Sequence, residues 1–210
     1  VWARENNRGE IFDALMRKEI FATTGTRLRV RLFAGWDFKP GDELVPDFAK
    51  LGYTRGVPMG GRLQSGSTGA APTFIVRAQR DPDWANLDRI QIIKGWIGAD
   101  GKAKERIYDV ALSGDRKIGE DGRARTPVGS TVNVQTATFT NTIGAPLLSA
   151  YWRDPDFDPA QRAFYYVRVL EIPTPRWTTY DSVFFKVPLP ERVPPTVQDR
   201  AYSSPVWYSP

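Results

Sequence analysis

No part of this sequence runs far without a chain breaker. Eighteen glycines and 17 prolines are spread over 210 residues, and the apolar residues between them come in short runs. A helix that spans a bilayer needs roughly 20 consecutive apolar residues, and no stretch approaches that. The pattern calls instead for short strands joined by tight turns. Its clearest run lies at residues 27–32, where Leu28, Val30 and Leu32 alternate with Arg27, Arg29 and Arg31. A period of two places the three apolar side chains on one face of a strand, and that face needs a core. Further strands are predicted at 73–78, 88–97, 105–112, 131–139, 163–172, 182–187 and 204–208, separated by turn signals such as Asp81-Pro82, Asp100-Gly101 and Asp121-Gly122. Seven or eight strands and one helix make a mainly β chain: an antiparallel β-sandwich preceded by a single N-terminal α-helix. Residues 36–69 and 189–202 are expected to be long connections, with a short helical turn possible at Phe48-Ala49-Lys50-Leu51.

The predicted helix starts at Asn7, a capping residue with Glu10 three positions on, and carries Ile11, Phe12 and Leu15 as an apolar stripe. Arg17 and Lys18 are expected in its last turns, where cations complement the dipole, and Thr23-Thr24-Gly25 to end it. Such a stripe is an interface, expected to meet the sandwich, a preceding domain or a second copy of the chain.

Composition then removes chemistry. With no Cys and no His, the chain has no thiol nucleophile, no Ser-His or Cys-His dyad and no His- or Cys-ligated metal. The net charge of +5 is dispersed among acids, without a basic run or an interleaved aromatic motif, so no nucleic-acid partner is expected. Asp154, Asp156 and Asp158 have the spacing that opens a calcium loop, but Pro159 stands where glycine is needed and Tyr165 where the bidentate Glu belongs; a solvated turn is expected, with no metal. Gly56-Val57-Pro58-Met59-Gly60-Gly61 lacks the Lys-Ser/Thr of a phosphate loop and reads as a tight connection, with Met59 filling a core gap. The row of Arg27, Arg29 and Arg31 could grip an anion but more simply pairs with neighbouring acids. Seven Trp and eight Tyr raise a carbohydrate-binding reading, for which Trp177 and Tyr180, beside Arg176 in a Pro-bounded turn, are the candidate ligand-binding residues. Trp84, Trp96 and Trp152 are expected in or near the core. No residue stands out as catalytic.

Several linked segments carry a family resemblance. Trp2-Ala3-Arg4-Glu5-Asn6-Asn7-Arg8, Phe21-Ala22-Thr23-Thr24-Gly25, Leu87-Asp88-Arg89-Ile90-Gln91-Ile92, the run from Phe164 to Trp177 and Ser204-Pro205-Val206-Trp207-Tyr208 together resemble the C-terminal part of the bacterial domain-of-unknown-function 3604 family. Full-length members look similar to PHP-type (polymerase and histidinol phosphatase) metallohydrolases, in which an α/β barrel carries His and Asp metal ligands and a β-sandwich follows. The resemblance implies that residues 1–25 are the last helix of that barrel and 26–210 a C-terminal β-sandwich. It further implies a structural or substrate-gating role beside an upstream barrel that holds any divalent metal, in a periplasmic or secreted parent. The chain itself would need no cofactor. A stand-alone ligand- or carbohydrate-binding module is the alternative, and self-association through Ile11, Phe12 and Leu15 is a further expectation.

Overall fold

Alternation at residues 27–32 becomes the centre of a two-layer structure, described over residues 1–66 and 70–210 by a computed structural model. In chain order the elements are α1 (Arg8–Met16), β1 (Phe21–Thr23), β2 (Arg29–Gly35), a 3-10 turn (Asp42–Leu44), α2 (Phe48–Arg55), β3 (Gly56–Pro58), β4 (Arg62–Gln64), β5 (Thr73–Gln79), β6 (Leu87–Ile97), β7 (Ala103–Leu112) and β8 (Leu147–Arg153). They continue with β9 (Ala163–Glu171), β10 (Thr174–Pro175), α3 (Trp177–Phe185), β11 (Thr196–Val197), β12 (Arg200–Ser203) and β13 (Val206–Ser209). A four-stranded antiparallel sheet runs β3-β2-β5-β8. In the seven-stranded sheet β7, β6 and β9 are neighbours, and β12 and β13 line successive parts of the far edge of β9. β1 pairs with β12, and β4 pairs with β13 in the single parallel contact of that sheet.

The two sheets pack face to face. Val30, Leu32, Phe74 and Val76 from one meet Ile90, Ile92, Val167 and Val169 from the other in a single buried cluster, closed at one end by Tyr165 and Tyr208. Each fully buried aliphatic side chain contributes about 1.5–3 kcal/mol by leaving water. Met59 is completely buried in this cluster, as a gap-filler should be. The four-stranded sheet is buried on its other face too. Phe33 and Ile75 point outward yet are fully covered, because α2 lays Phe48 and Leu51 over them. Gly52 permits that approach: a Cβ there would stand 2.3 Å from the Phe33 ring. Arg77 completes the cover, its guanidinium 4.6 Å above Phe48 while donating to the Glu43 and Val45 carbonyls.

α1 begins as expected, with the Glu10 N–H donating to Asn7 Oδ1 at 2.9 Å. It ends at Met16, so Arg17 and Lys18 lie beyond its last turn rather than in it. The helix is seated on Ala14, its one buried residue, while Ile11 is half-buried and Phe12 and Leu15 are 59% and 47% exposed.

Four expectations need correcting. The stretch 182–187 belongs largely to helix α3, despite its Val and Phe residues, because the segment is clamped at its base. The Arg176 N–H donates to the Pro195 carbonyl at 2.9 Å and the Thr179 hydroxyl to the same oxygen at 2.6 Å. Tertiary anchoring there overrides β-propensity. The stretch 131–139 forms no strand: Asn133 Oδ1 accepts from the Gln135 and Thr136 N–H groups and turns the chain, leaving one isolated bridge from Asn133 to Thr138. The connection at 36–69 holds α2, β3 and β4, with its last residues, 67–69, outside the described ones; that at 189–202 holds β11 and most of β12. Asp154 is no solvated turn residue, for it is buried.

A candidate binding cleft on the outer sheet face

Strand register brings one row of side chains across five strands of the seven-stranded sheet. Glu105 on β7 is opposite Gly95 on β6, Gly95 is opposite Phe164 on β9, Phe164 is opposite Trp207 on β13, and Trp207 is opposite Arg62 on β4. All five residues line one open cleft of about 840 Å³. Its floor is aromatic, with the Phe164 and Trp207 rings 5.3 Å apart and tilted by 46° and Trp207 46% exposed. Gly95 sets the floor's depth. A Cβ at this position would fall 2.2 Å from Phe164 Cζ, so glycine lets the ring lie across β6 instead of standing away from the sheet.

The rim is cationic. Lys18, Arg62 and Arg162 are exposed around the cleft, and none makes an ion pair or side-chain hydrogen bond among the described residues. Lys104 also borders it and lies 3.6 Å from Asp100. Glu105 is the one carboxylate in the lining. Burial, and then the nearby Glu105 charge, hold the Tyr166 phenol above its ordinary range. The next row, two residues along, is Ile107, Ile93 and Tyr166, and beyond it Asp109, Gln91, Arg168 and Tyr202 form a third. That third row is already satisfied internally: Gln91 Nε2 donates to Asp109 Oδ1 at 2.6 Å and Arg168 Nε to Gln91 Oε1 at 2.7 Å.

Behind the cleft floor the acids are engaged. Lys94, adjacent to Gly95 but facing inward, is buried with Nζ 2.6 Å from Asp154 Oδ2 and 2.7 Å from the Asp156 carbonyl. Asp154 also accepts from the Tyr165 hydroxyl at 2.7 Å and the Asp156 N–H at 2.9 Å. Burial and then the Asp154 charge push the Tyr165 phenol far above its ordinary range. Asp156 accepts from Tyr108 and Arg106, and Asp88 is held by Arg89, Arg116 and Gln198. The residues present therefore do not fit the divalent metal of a PHP-type hydrolase: no set of three or more metal-ligating side chains converges among the described residues, and within the D-x-D-x-D run Asp154 and Asp156 are spent on ion pairs while the exposed Asp158 accepts from the Ala160 N–H. Among the buried acids Glu171 is the exception to this pairing. Completely buried, with neither oxygen hydrogen-bonded among the described residues, its carboxyl is pushed up to about 8, chiefly by burial, with the nearby Thr26 hydroxyl acting in the opposite direction.

The residues singled out in the sequence lie elsewhere. Trp177 and Tyr180 share a face of α3 at a spacing of three; Trp177 is 66% exposed, and neither they nor Arg176 line the cleft. Of the arginine row, Arg27 pairs with Asp81 and Asp83, and Arg31 lies 3.8 Å from Glu19 and 4.4 Å above the Trp2 ring. Gly60 occupies the left-handed region at φ 84°, as a tight connection requires. Phe164 and Trp207 each sit outward in a strand whose alternate residues are buried. That alternation was the one available signal. What joins them to Arg62 and Glu105 is register across distant segments, which no local pattern encodes.

The fold and cleft together define a β-sandwich with one face roofed by a helix and the other open, aromatic and cationic. The chain belongs to the family described as Protein of unknown function (DUF3604), whose model matches residues 1–210. No curated protein and no solved structure matches it. No helix among the described residues is long and apolar enough to cross a membrane.

Proposed function

We propose that this chain is the non-catalytic C-terminal β-sandwich of a larger, PHP-like metal-dependent hydrolase, and that it holds or gates substrate through the cleft on its outer sheet face. The cleft carries this reading: strand pairing fixes an unpartnered Arg62 beside an exposed indole, and the unpartnered Lys18 and Arg162 border them from the adjoining connections. The resemblance to PHP-type proteins supplies the enzymatic context, and the tied carboxylates around Lys94 support a role without acid–base chemistry of its own. Binding a substrate away from the reacting bond lowers KM without altering the chemical step. In a longer chain carrying the catalytic barrel, Trp207→Ala should therefore raise KM several-fold while kcat and bound metal stay constant. An unchanged KM would contradict the reading. So would hydrolysis by the present chain alone that is abolished by a single substitution within it, or stoichiometric zinc or manganese surviving extensive dialysis.

A module that binds ligand independently through Trp177 is the second reading, favoured by the exposure of that indole beside Arg176.

A further inference from the structure

The row across the cleft is polar in direction. At one end stands Arg62, with Lys18 near it beside Gly60, and at the other stands Glu105, with Lys104 next to it held by Asp100; between them are two aromatic rings and a glycine, and Arg162 borders the middle of the row, two residues before Phe164. With strands about 4.8 Å apart, four inter-strand steps span roughly 19 Å, enough for a short oligomer rather than a single ring. Each part of the row selects a chemistry. Guanidinium and ammonium groups with no acidic partner favour an anion, and a guanidinium does so with bidentate geometry. An exposed indole offers an apolar plane, widened by a second ring tilted 46° to it. A lone carboxylate accepts hydrogen bonds from hydroxyls and repels anions.

We infer that this cleft binds an acidic oligosaccharide, its carboxylate or sulfate groups at Arg62, Arg162 and Lys18, a sugar ring stacked on the Phe164–Trp207 floor, and its hydroxyls directed to Glu105. The inference rests on the reading of the cleft as a substrate-holding surface and names the class of ligand. Uronate and sulfated sugars share the required chemistry. A single-stranded nucleic acid shares the anionic charge and the stacking but fits less well. Phe164 and Trp207 pack on each other at 5.3 Å, which leaves no slot for a base between them, and a phosphate backbone crossing the row would meet Glu105. A neutral sugar would use the floor and leave the cations idle.

The test is titration of the purified chain, followed by tryptophan fluorescence and calorimetry, with four probes of matched length: an oligogalacturonate, a chondroitin sulfate oligosaccharide, a neutral maltooligosaccharide and oligothymidylate. The expected result is that at least one acidic sugar binds ten-fold or more tighter than the neutral one and weakens as salt is raised. Trp207→Ala and Arg62→Ala should each cost that sugar ten-fold or more. Oligogalacturonate carries carboxylates alone and chondroitin sulfate carries both groups, so tighter binding of the first would show that carboxylates suffice and tighter binding of the second that sulfate adds to them. Gly95→Ala should abolish binding by lifting the Phe164 ring into the cleft; because that substitution sits in a central strand, the edge-strand variants Trp207→Ala and Arg62→Ala decide the matter if it does not fold.

Neutral sugar binding as tightly as either acidic probe, with the same loss in Trp207→Ala, would overturn the inference and leave the substrate-holding reading standing. Oligothymidylate binding tighter than all three sugars would overturn it in favour of a nucleic-acid partner. Binding of none of the four, together with an unchanged KM for Trp207→Ala in the longer chain, would overturn both.

Discussion

Two phenylalanines, each lying over a glycine, show how differently the two sheets are finished. On the outer face of the four-stranded sheet, Phe33 meets Gly52, and the glycine belongs to the helix that roofs the ring and buries it completely. On the outer face of the seven-stranded sheet, Phe164 meets Gly95, and the glycine belongs to the neighbouring strand, so the ring is supported from below and left accessible from above. The first arrangement stabilises the fold. The second holds an apolar surface of two tilted rings open to solvent, with unpaired cations at its edge. Similar local contacts thus bury a ring on one face and leave it accessible, for the recognition proposed above, on the other, and what decides between them is whether an element crosses over the sheet.

That contrast makes ranked predictions. Phe33→Ala should be the most damaging, at about 3–5 kcal/mol for a large-to-small change in a filled site. In a chain of this size it should lower Tm by roughly 6–20 °C. Ligand affinity at the distant cleft should be preserved in whatever fraction remains folded. Lys94→Met should cost about 3 kcal/mol, measured by denaturant unfolding, because it strands Asp154 as a buried charge; adding Asp154→Asn should recover much of the loss. Glu171→Gln should act in the opposite direction and depend on pH. Its folded carboxyl titrates near 8, above the ordinary carboxylate range, so the native state binds its proton more tightly than the unfolded chain does. Stability is therefore lost as pH rises from about 4.5 through 8, and the substitution should gain about 1–3 kcal/mol at pH 9 and nothing measurable at pH 4. Trp207→Ala should be nearly silent in stability, within about 1 kcal/mol, while removing most of the binding. A Trp207→Ala protein as crippled in folding as Phe33→Ala would erase the distinction between the two faces.

The strands of both sheets were far more legible in the sequence than the open face that they build together. Alternation at Leu28, Val30 and Leu32 reports directly on burial, and Asn7 announced the start of α1 because capping is local chemistry. The strands at 73–78, 88–97, 105–112 and 163–172 were marked by β-branched runs bounded by turns, and all are present within a residue or two. α3 was hidden because its residues favour a strand and only the contacts of Arg176 and Thr179 with Pro195 hold it as a helix. The cleft was hidden for a different reason. Trp177 has Arg176 and Tyr180 close by in sequence, whereas Trp207 acquires Arg62 and Phe164 as neighbours only through β-pairing. A site made of one residue from each of five strands has no linear motif.

The central claim is that the open sheet face, and not α3, is where this protein meets its ligand. Labelling the seven tryptophans with 15N and following their indole N–H resonances during titration with an oligogalacturonate or a chondroitin sulfate oligosaccharide addresses both places at once. Single Trp→Phe variants assign the signals. The account predicts a saturable shift of the Trp207 resonance, with Trp177 unmoved. A saturable shift of Trp177 with Trp207 unmoved would contradict it and establish the exposed helix as the binding surface.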